Sequence, residues 1–371
     1  MSEAILVTGA MGQVGKRCVE ILLARGGAVV ATDVSTPANA KAASQLQQLH
    51  TSDKLQVAFV DLTDREGVLD LVRRYQPGAI IHLAAIVSPV CYAMPELAHR
   101  VNVDGTRNLV AAATALKDAP LFIFASSSAV YGSCNPNTQA VINSETPTKP
   151  IECYGMDKVL GEQSVVESGL PYGILRLAGV LSPDGFGKMS DEYRALVRAT
   201  PGDNRVHGID ARDVALAFAN ATQLPQPHRN RVFLVAGDDS YCKTQREIED
   251  DVMAALGVGR LGPEASLPGD PDDDLGWSFT NWFDIGDAQD VLQFQQHRWD
   301  DTLAWLKSSL NPVVRIAVRG LAPLIRQGMM ASIRRQRKKE QRGPYAAPWS
   351  LIGQLYGDGV LVPEQLPERQ E

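Results

Sequence analysis

The feature that most constrains this chain lies at its start. The apolar run Ala4-Ile5-Leu6-Val7 leads directly into Thr8-Gly9-Ala10-Met11-Gly12-Gln13-Val14-Gly15, with glycine at every third position, and a helical pattern follows from Lys16 to Leu23. A buried strand that feeds such a turn and then a helix can bring its backbone against a pyrophosphate. Side-chain-free positions let the phosphates approach, and the free N–H groups at the positive end of the helix hold them. A glycine triplet alone would be weak evidence, because tight turns use glycine for steric reasons. Here a second strand, Ala28 to Thr32, ends in Asp33, 18 residues after Gly15. A carboxylate at that distance is placed to meet ribose hydroxyls.

Strand and helix signals alternate up to about residue 180. Apolar runs at Gln56–Val60, Ala79–Leu83, Leu121–Phe124 and Tyr172–Leu177 are separated by helical patterns near 64–75, 95–116 and 153–168. Several of these strands are continuously apolar, as in parallel sheets buried on both faces. The chain therefore predicts an α/β fold: a Rossmann-type doubly wound parallel sheet with a smaller C-terminal substrate-binding lobe. The dinucleotide-binding domain is expected over 1–180, with 206–238 (helix 211–222 and strand Arg231–Val235) returning to it. The second lobe is expected from 181–205 and 239–310. Within it, Ser182-Pro183-Asp184-Gly185 and Thr200-Pro201-Gly202-Asp203 flank a short possible helix, 257–276 is expected to be a mobile loop, and Trp282–Leu306 regains helical character.

Residues 311–371 form a distinct tail. Nine basic residues (315, 319, 326, 334, 335, 337, 338, 339 and 342) and one acid, Glu340, fall between Val313 and Arg342, beside the apolar Val314, Val318, Leu321 and Ile325. Pro323 should kink or interrupt this helix. From Pro344 onward the chain is expected to be extended or disordered. Two readings of the basic helix stand: contact with an anionic membrane surface, or a solvated, subunit-packing extension.

Composition narrows the classes. A net charge of −7 argues against a general nucleic-acid binder, and no apolar run approaches the ~20 residues that cross a bilayer. With an apolar strand expected from Ala4, no signal peptide is expected. Five cysteines (18, 91, 134, 153 and 242) are scattered, none at CxxC or zinc-like spacing, and the histidines show no HExxH pattern. No metal site is expected, and a reducing cytoplasm fits.

Three features sit at expected strand ends: Ser126-Ser127-Ser128 with Ala129-Val130-Tyr131-Gly132, Leu83-Ala84-Ala85, and Tyr154-Gly155-Met156-Asp157-Lys158. Tyr154 and Lys158 are four apart and share a helix face. A nearby ammonium should lower the phenol pKa, and a serine hydroxyl can orient a substrate oxygen. Together they could move a proton on an alcohol while its carbon exchanges hydride with a nicotinamide.

With these motifs, and with Asp61-Leu62 and Asn102-Val103-Asp104-Gly105-Thr106, residues 4–310 resemble an extended short-chain dehydrogenase/reductase of the NAD-dependent epimerase/dehydratase superfamily. The resemblance implies that Gly9, Gly12 and Gly15 hold the pyrophosphate of NAD, with Met11, Gln13 and Val14 completing the turn. Asp33 would bind the adenosine ribose and favour NAD over NADP, although Lys16 and Arg17 leave a cation near any 2′-phosphate. Asp61 and Leu62 would flank the adenine, and Leu83, Ala84 and Ala85 would line the cofactor. Tyr154 would be the general acid/base, and Lys158 would also hold the nicotinamide ribose. Counting back four from Tyr131 gives Ser127 as the catalytic serine, with Ser126 and Ser128 still open. Asn102 has two readings, a cap or link and a proton relay. Val87, Ser128 and Ala178 are substrate-facing candidates. Asp213 would start a helix, and Asp157 would face solvent. Homodimerisation would use helices 95–116 and 153–168.

Two departures bear on substrate. The family's Asn and the Tyr-Gly of its Tyr-Gly-Pro signal for nucleotide sugars are missing from Arg176–Pro183, and Ser128-Ala129 stands where dehydratases place Asp-Glu. A non-nucleotide alcohol or ketone, lipophilic or a secondary metabolite, is therefore expected. A redox-neutral sugar or nucleotide-sugar epimerase and a non-catalytic nucleotide sensor are the alternatives.

Overall fold

The computed structural model describes residues 4–50, 53–139, 141–184 and 190–362. Its first half alternates without exception: β1 (Ile5–Thr8), α1 (Gly15–Ala24), β2 (Val29–Asp33), α2 (Pro37–Leu49), β3 (Leu55–Phe59), α3 (Arg65–Tyr75) and β4 (Ala79–His82). A helical stretch follows as α4 (Pro95–His99), a π-helical turn over Arg100–Asp104 and α5 (Gly105–Thr114). Next come β5 (Leu121–Ser127), α6 (Cys153–Glu167) and β6 (Tyr172–Leu177). The second half contains β7 (Gly179–Leu181), α7 (Asp191–Ala199), β8 (Arg205–Asp210), α8 (Ala211–Ala221), β9 (Arg231–Val235), β10 (Cys242–Thr244) and α9 (Gln245–Ala255). It ends with α10 (Gly286–Leu292), α11 (Trp299–Ser308), α12 (Pro312–Lys339) and α13 (Pro348–Tyr356).

Seven strands form one sheet in the order β3-β2-β1-β4-β5-β6-β9, and every ladder is parallel. Successive residues feed opposite layers. Leu6, Val30, Ile80, Phe122 and Ile174 pack with Val68, Val72 and Leu109 of α3 and α5. Val7, Ala31, Ile81, Ile123 and Leu175 pack with Val19 of α1 and Val214 and Phe218 of α8. Helices on both faces remove any solvent side, which is why these strands lack apolar–polar alternation. The order reverses between β1 and β4, and ligands of such sheets sit at the carboxyl ends beside that point. A separate sheet, β10-β8-β7, pairs β7 and β8 in parallel and β8 and β10 antiparallel.

Four expectations for the later chain need correction. α12 is not interrupted at Pro323 but continues as one helix to Lys339. Pro323 lies on the solvent side, so the carbonyl it deprives of a donor can turn to water. The segment after Pro344 is not simply extended: α13 buries Trp349, Leu351 and Ile352, and Leu361 pairs with Glu152. Its apolar content is local to 346–362, too short to register against a polar background. The stretch 257–276 has little regular structure but is pinned, with Gly202 N–H donating to Leu267 O, Ala346 N–H donating to Pro268 O, and Trp277 buried beside it. Asp157 is buried rather than solvent-facing, because α4 and the π turn cover that face of α6. Gly185 and residues 363–371 lie outside the described residues.

Candidate active site

The glycine turn separates two jobs. Gly9 has φ of +64°, and a Cβ there would lie 2.8 Å from Ala84 N. A Cβ on Gly15 would lie 2.1 Å from Gly9 O, so these two glycines are required by packing of the turn on itself and on β4. Gly12 is different: its Cβ would meet only Gly9 O, at 3.2 Å, and Gly12 and Gln13 are exposed. Helix α1 has Val14 at its N-cap and no side-chain cap. Of its first N–H groups, that of Lys16 turns back onto Gly12 O (3.1 Å), and the helix start faces the open turn at Gly12 and Gln13. Asp33 closes the far side: its carboxylate accepts from Met11 N (3.0 Å), Val34 N (2.9 Å) and Asn39 Nδ2 (3.0 Å). Burial raises its pKa, and the two backbone donors oppose that. Lys16 and Arg17 are engaged elsewhere, pairing with Asp184 at 3.0 and 2.6 Å.

Beyond β3, Asp61 is exposed and accepts from Thr63 N (2.9 Å), while Leu62 is buried against Gly105. Leu83, Ala84 and Ala85 line the end of β4, with Leu83 N bonded to Thr8 O and Ala84 N to Thr8 Oγ1. The same Thr8 hydroxyl meets His82 Nδ1 at 2.7 Å, and His82 Nε2 meets Thr106 at 2.9 Å. Burial pulls the His82 pKa down to about 3, so this ring is a neutral brace. His82 was not anticipated; its only sequence signal is a histidine closing an apolar strand.

Asn102 lies in the π turn and caps no helix. Its side chain accepts from Ile86 N (2.8 Å), donates to Ile86 O (3.0 Å) and donates to Asp157 (3.2 Å). These bonds tie the loop after β4 to α6, which is the linking role. Asp157 also takes His99 Nδ1 at 2.7 Å. Asp213 lies in the first turn of α8, and its carboxylate holds the distant His297 through Nδ1 (2.6 Å) and N–H (3.0 Å).

The three serines separate cleanly. Ser126 donates to Glu162 at 2.5 Å within a buried network. There Arg176 pairs Glu162 at 2.7 Å and donates to Tyr131 Oη at 2.9 Å. Ser128 is buried in the 3-10 turn Ser128–Tyr131. Ser127, at the end of β5, is half-buried, accepts from Ala129 N (3.2 Å), and its hydroxyl acts on the Tyr154 phenol to lower its pKa. One helical turn on, Lys158 Nζ lies 5.6 Å from the Tyr154 ring centroid and 5.0 Å from that of Phe124. The structure thus brings Ser127, Tyr154 and Lys158 together at one strand end.

Their electrostatics correct one expectation. Burial, then Glu152 and Cys91, push the Tyr154 pKa up, and the Ser127 hydroxyl only partly opposes them. Burial lowers Lys158 to about 8, with Asp157 and Glu162 pulling it back up. Desolvation outweighs the expected acidifying effect of the ammonium, so the phenol holds its proton at neutral pH. Of the substrate-facing candidates, Val87 is exposed on the loop after β4, Ser128 is buried, and Ala178 is packed among Val130, Tyr131 and Leu234.

Sequence reasoning missed the support behind Tyr154. Glu152, fully buried, caps α6 by accepting from Tyr154 N (2.9 Å) and Gly155 N (2.7 Å). Burial raises its pKa to about 8. Cys153 Sγ lies 3.7 Å from Cys91 Sγ, so Cys91, Glu152 and Cys153 form a ligand-like group across 62 positions of sequence. The α13 segment closes this cluster: Trp349, Ile352 and Leu361 pack with Tyr92, Ile151 and Tyr154, and Trp349 Nε1 donates to Trp277 O at 2.9 Å. Two cavities, of about 130 and 350 Å³, lie where 133–151 meets the second lobe, and neither is lined by Ser127, Tyr154 or Lys158.

The fold and site define a dinucleotide-binding α/β protein with a Ser–Tyr–Lys set at the sheet's carboxyl edge. The family described as GDP-mannose 4,6 dehydratase matches residues 6–195, just over half of the chain. The protein belongs to this family, within the extended short-chain dehydrogenase/reductase superfamily. A D-erythronate dehydrogenase of Cupriavidus necator is 34% identical over 163 residues, covering 43% of this chain and 48% of that protein. An uncharacterised epimerase/dehydratase of Staphylococcus aureus is 33% identical over 167 residues, covering 43% and 46%. The match thus spans about half the length of these relatives. A UDP-Glc/GlcNAc 4-epimerase of Campylobacter jejuni shares the fold at TM-score 0.67 and 19% identity, over 85% of this chain and all of that one. A Bordetella bronchiseptica enzyme solved with NAD does so at TM-score 0.62 and 20% identity, over 83% and 94%.

Proposed function

We propose that the protein is an NAD-dependent oxidoreductase that interconverts a secondary alcohol and a ketone. The observation that carries this reading is the convergence of Ser127 at the end of β5 with Tyr154 and, one helical turn on, Lys158, whose Nζ lies 5.6 Å from the Tyr154 ring, at the edge where the glycine turn opens. The residues present fit NAD: an uncapped helix start, an exposed Gly12 and a ribose-side carboxylate at Asp33. With Lys16 and Arg17 committed to Asp184, NAD is favoured over NADP. Bound there, NAD supplies hydride exchange. Ser127 Oγ holds the substrate oxygen, and Tyr154 Oη gives or takes its proton. Because Tyr154 is protonated at neutral pH, its ready role is to donate to the oxygen of a carbonyl being reduced. Lys158 keeps positive charge beside the phenol and the cofactor ribose.

A non-nucleotide and lipophilic substrate is supported by the missing Asn, Tyr-Gly and Asp-Glu signals. The family's name and the sugar-nucleotide neighbours support a second reading, an epimerase that retains its NAD. A homodimer through α4–α6 is part of the proposal, since Met94, Leu97 and Val166 are exposed there. So are peripheral membrane contact through 313–342 and a cytoplasmic setting, which suits five free thiols. Denaturing the purified protein and identifying released nucleotide separates the two chemistries. Freely exchanging NAD supports a dehydrogenase, and NAD surviving dialysis supports the epimerase. Tyr154→Phe should cost about 10²–10⁴-fold in turnover and spare NAD binding; full activity in that variant refutes the proton role.

A further inference from the structure

We infer that α12 is a docking helix for an anionic phospholipid surface. The helix is 28 residues long, about 42 Å at 1.5 Å per residue, and only Ala322 among its residues is fully buried. Its underside rests on the loop after α9, where Arg326 Nη1 donates to Val258 O at 2.7 Å and the Arg319 stem packs on Gly257. The opposite face is apolar and open: Val313, Ile316 and Leu324 are 74%, 70% and 66% exposed, with Leu321 beside them. Steps of three, four and seven carry this stripe from Leu324 through Ala331 to Arg335 and Lys338, with Lys339 adjacent. Among the described residues no ion pair engages Arg335, Lys338 or Lys339, and all three are exposed.

One helix face thus presents an apolar stretch and then a cationic one. Acyl chains fit the first and anionic headgroups the second. No helix among the described residues is long and apolar enough to cross a membrane, so this one would lie along the surface. A second copy is a poorer occupant. Parallel pairing sets cation against cation, and antiparallel pairing buries the cations on the partner's leucines. Because 313–342 holds nine basic residues and one acid in a chain of net charge −7, the rest of the molecule is acidic. Repulsion of that remainder orients the molecule helix-first on an anionic surface.

The inference rests on the proposed peripheral contact of 313–342 and is independent of the catalytic reading, which Tyr154→Phe tests; its own test is flotation of the full chain with vesicles. The chain should float with phosphatidylglycerol-containing vesicles, stay behind with pure phosphatidylcholine, and be released by salt. Arg335→Gln/Lys338→Gln/Lys339→Gln should weaken binding on the order of a hundredfold, at roughly fivefold per cation. Leu321→Asp/Leu324→Asp should abolish it while leaving the circular dichroism spectrum unchanged. Failure to float, or flotation indifferent to both variants, overturns the inference. So does conversion of a dimer to a monomer by Leu321→Asp/Leu324→Asp without vesicle binding, which would assign the face to a second copy.

Discussion

Gly15→Ala and Gly12→Ala should fail in different ways, and the pair tests how the turn is read. At Gly15 the new methyl would sit 2.1 Å from Gly9 O and 2.8 Å from Ala10 Cα, all backbone, so the turn must deform. Overpacking of this kind costs about 1–3 kcal/mol, and the better helix propensity of alanine returns up to about 1. The expected net is about 1–2 kcal/mol, or a fall of roughly 1–3 °C in melting temperature for a chain of this size. At Gly12 the methyl meets one oxygen at 3.2 Å and otherwise points outward. Stability should change by less than about 1 kcal/mol. That methyl would stand where the pyrophosphate approaches, so NAD affinity should fall about 10–100-fold, equivalent to about 1.4–2.8 kcal/mol. Thermal melts without nucleotide and a fluorescence titration with NAD read both effects. If Gly12→Ala binds NAD as tightly as the parent, the pyrophosphate does not cross this turn and the reasoning is wrong.

Three further outcomes follow from the same geometry. Glu152 keeps its proton to about pH 8 in the folded state, whereas an unfolded glutamate releases it near ~4.3. The native state therefore binds the extra proton between those values, and stability should fall as pH rises through that window, by at most about 5 kcal/mol. Urea unfolding at a series of pH values should show Glu152→Gln flattening this slope, and an unchanged slope would remove Glu152 as its cause. Trp349→Ala should cost about 3–5 kcal/mol and expose the cluster around Tyr154 to protease; an unaltered melt would mean that α13 does not hold this cluster. Asp33→Asn should weaken NAD and improve relative use of NADP about tenfold in paired titrations, because a charge that repels a 2′-phosphate is gone; unchanged preference would place the ribose elsewhere.

The parallel sheet was legible because it is written in local patterns. The runs at Ala79, Leu121, Tyr172 and Arg231 are apolar on both faces, and their boundaries fall within a few residues of β4, β5, β6 and β9. The glycine turn, Asp33 and the Tyr154–Lys158 spacing are equally local, being fixed by residues a few positions apart. What sequence could not supply was the choice among three adjacent serines. That depends on Glu162, 36 positions beyond Ser126, taking the Ser126 hydroxyl and on α6 bringing Tyr154 to Ser127. Nor could it show that Asn102 would clamp Ile86 and Asp157, or that Asp157 would be covered.

By itself, then, the sequence determined the alternation of elements, the direction of the sheet and the phosphate-ready turn, because periodicity and backbone sterics act between near neighbours. Tertiary structure alone decided the electrostatics of Tyr154. An ammonium four residues away suggested an acidified phenol, but burial beneath α13 and beside Glu152 raises the pKa instead. Desolvation depends on everything that packs around a group, and here the cluster that holds Tyr154 includes Trp349, Ile352 and Leu361, about two hundred positions along the chain.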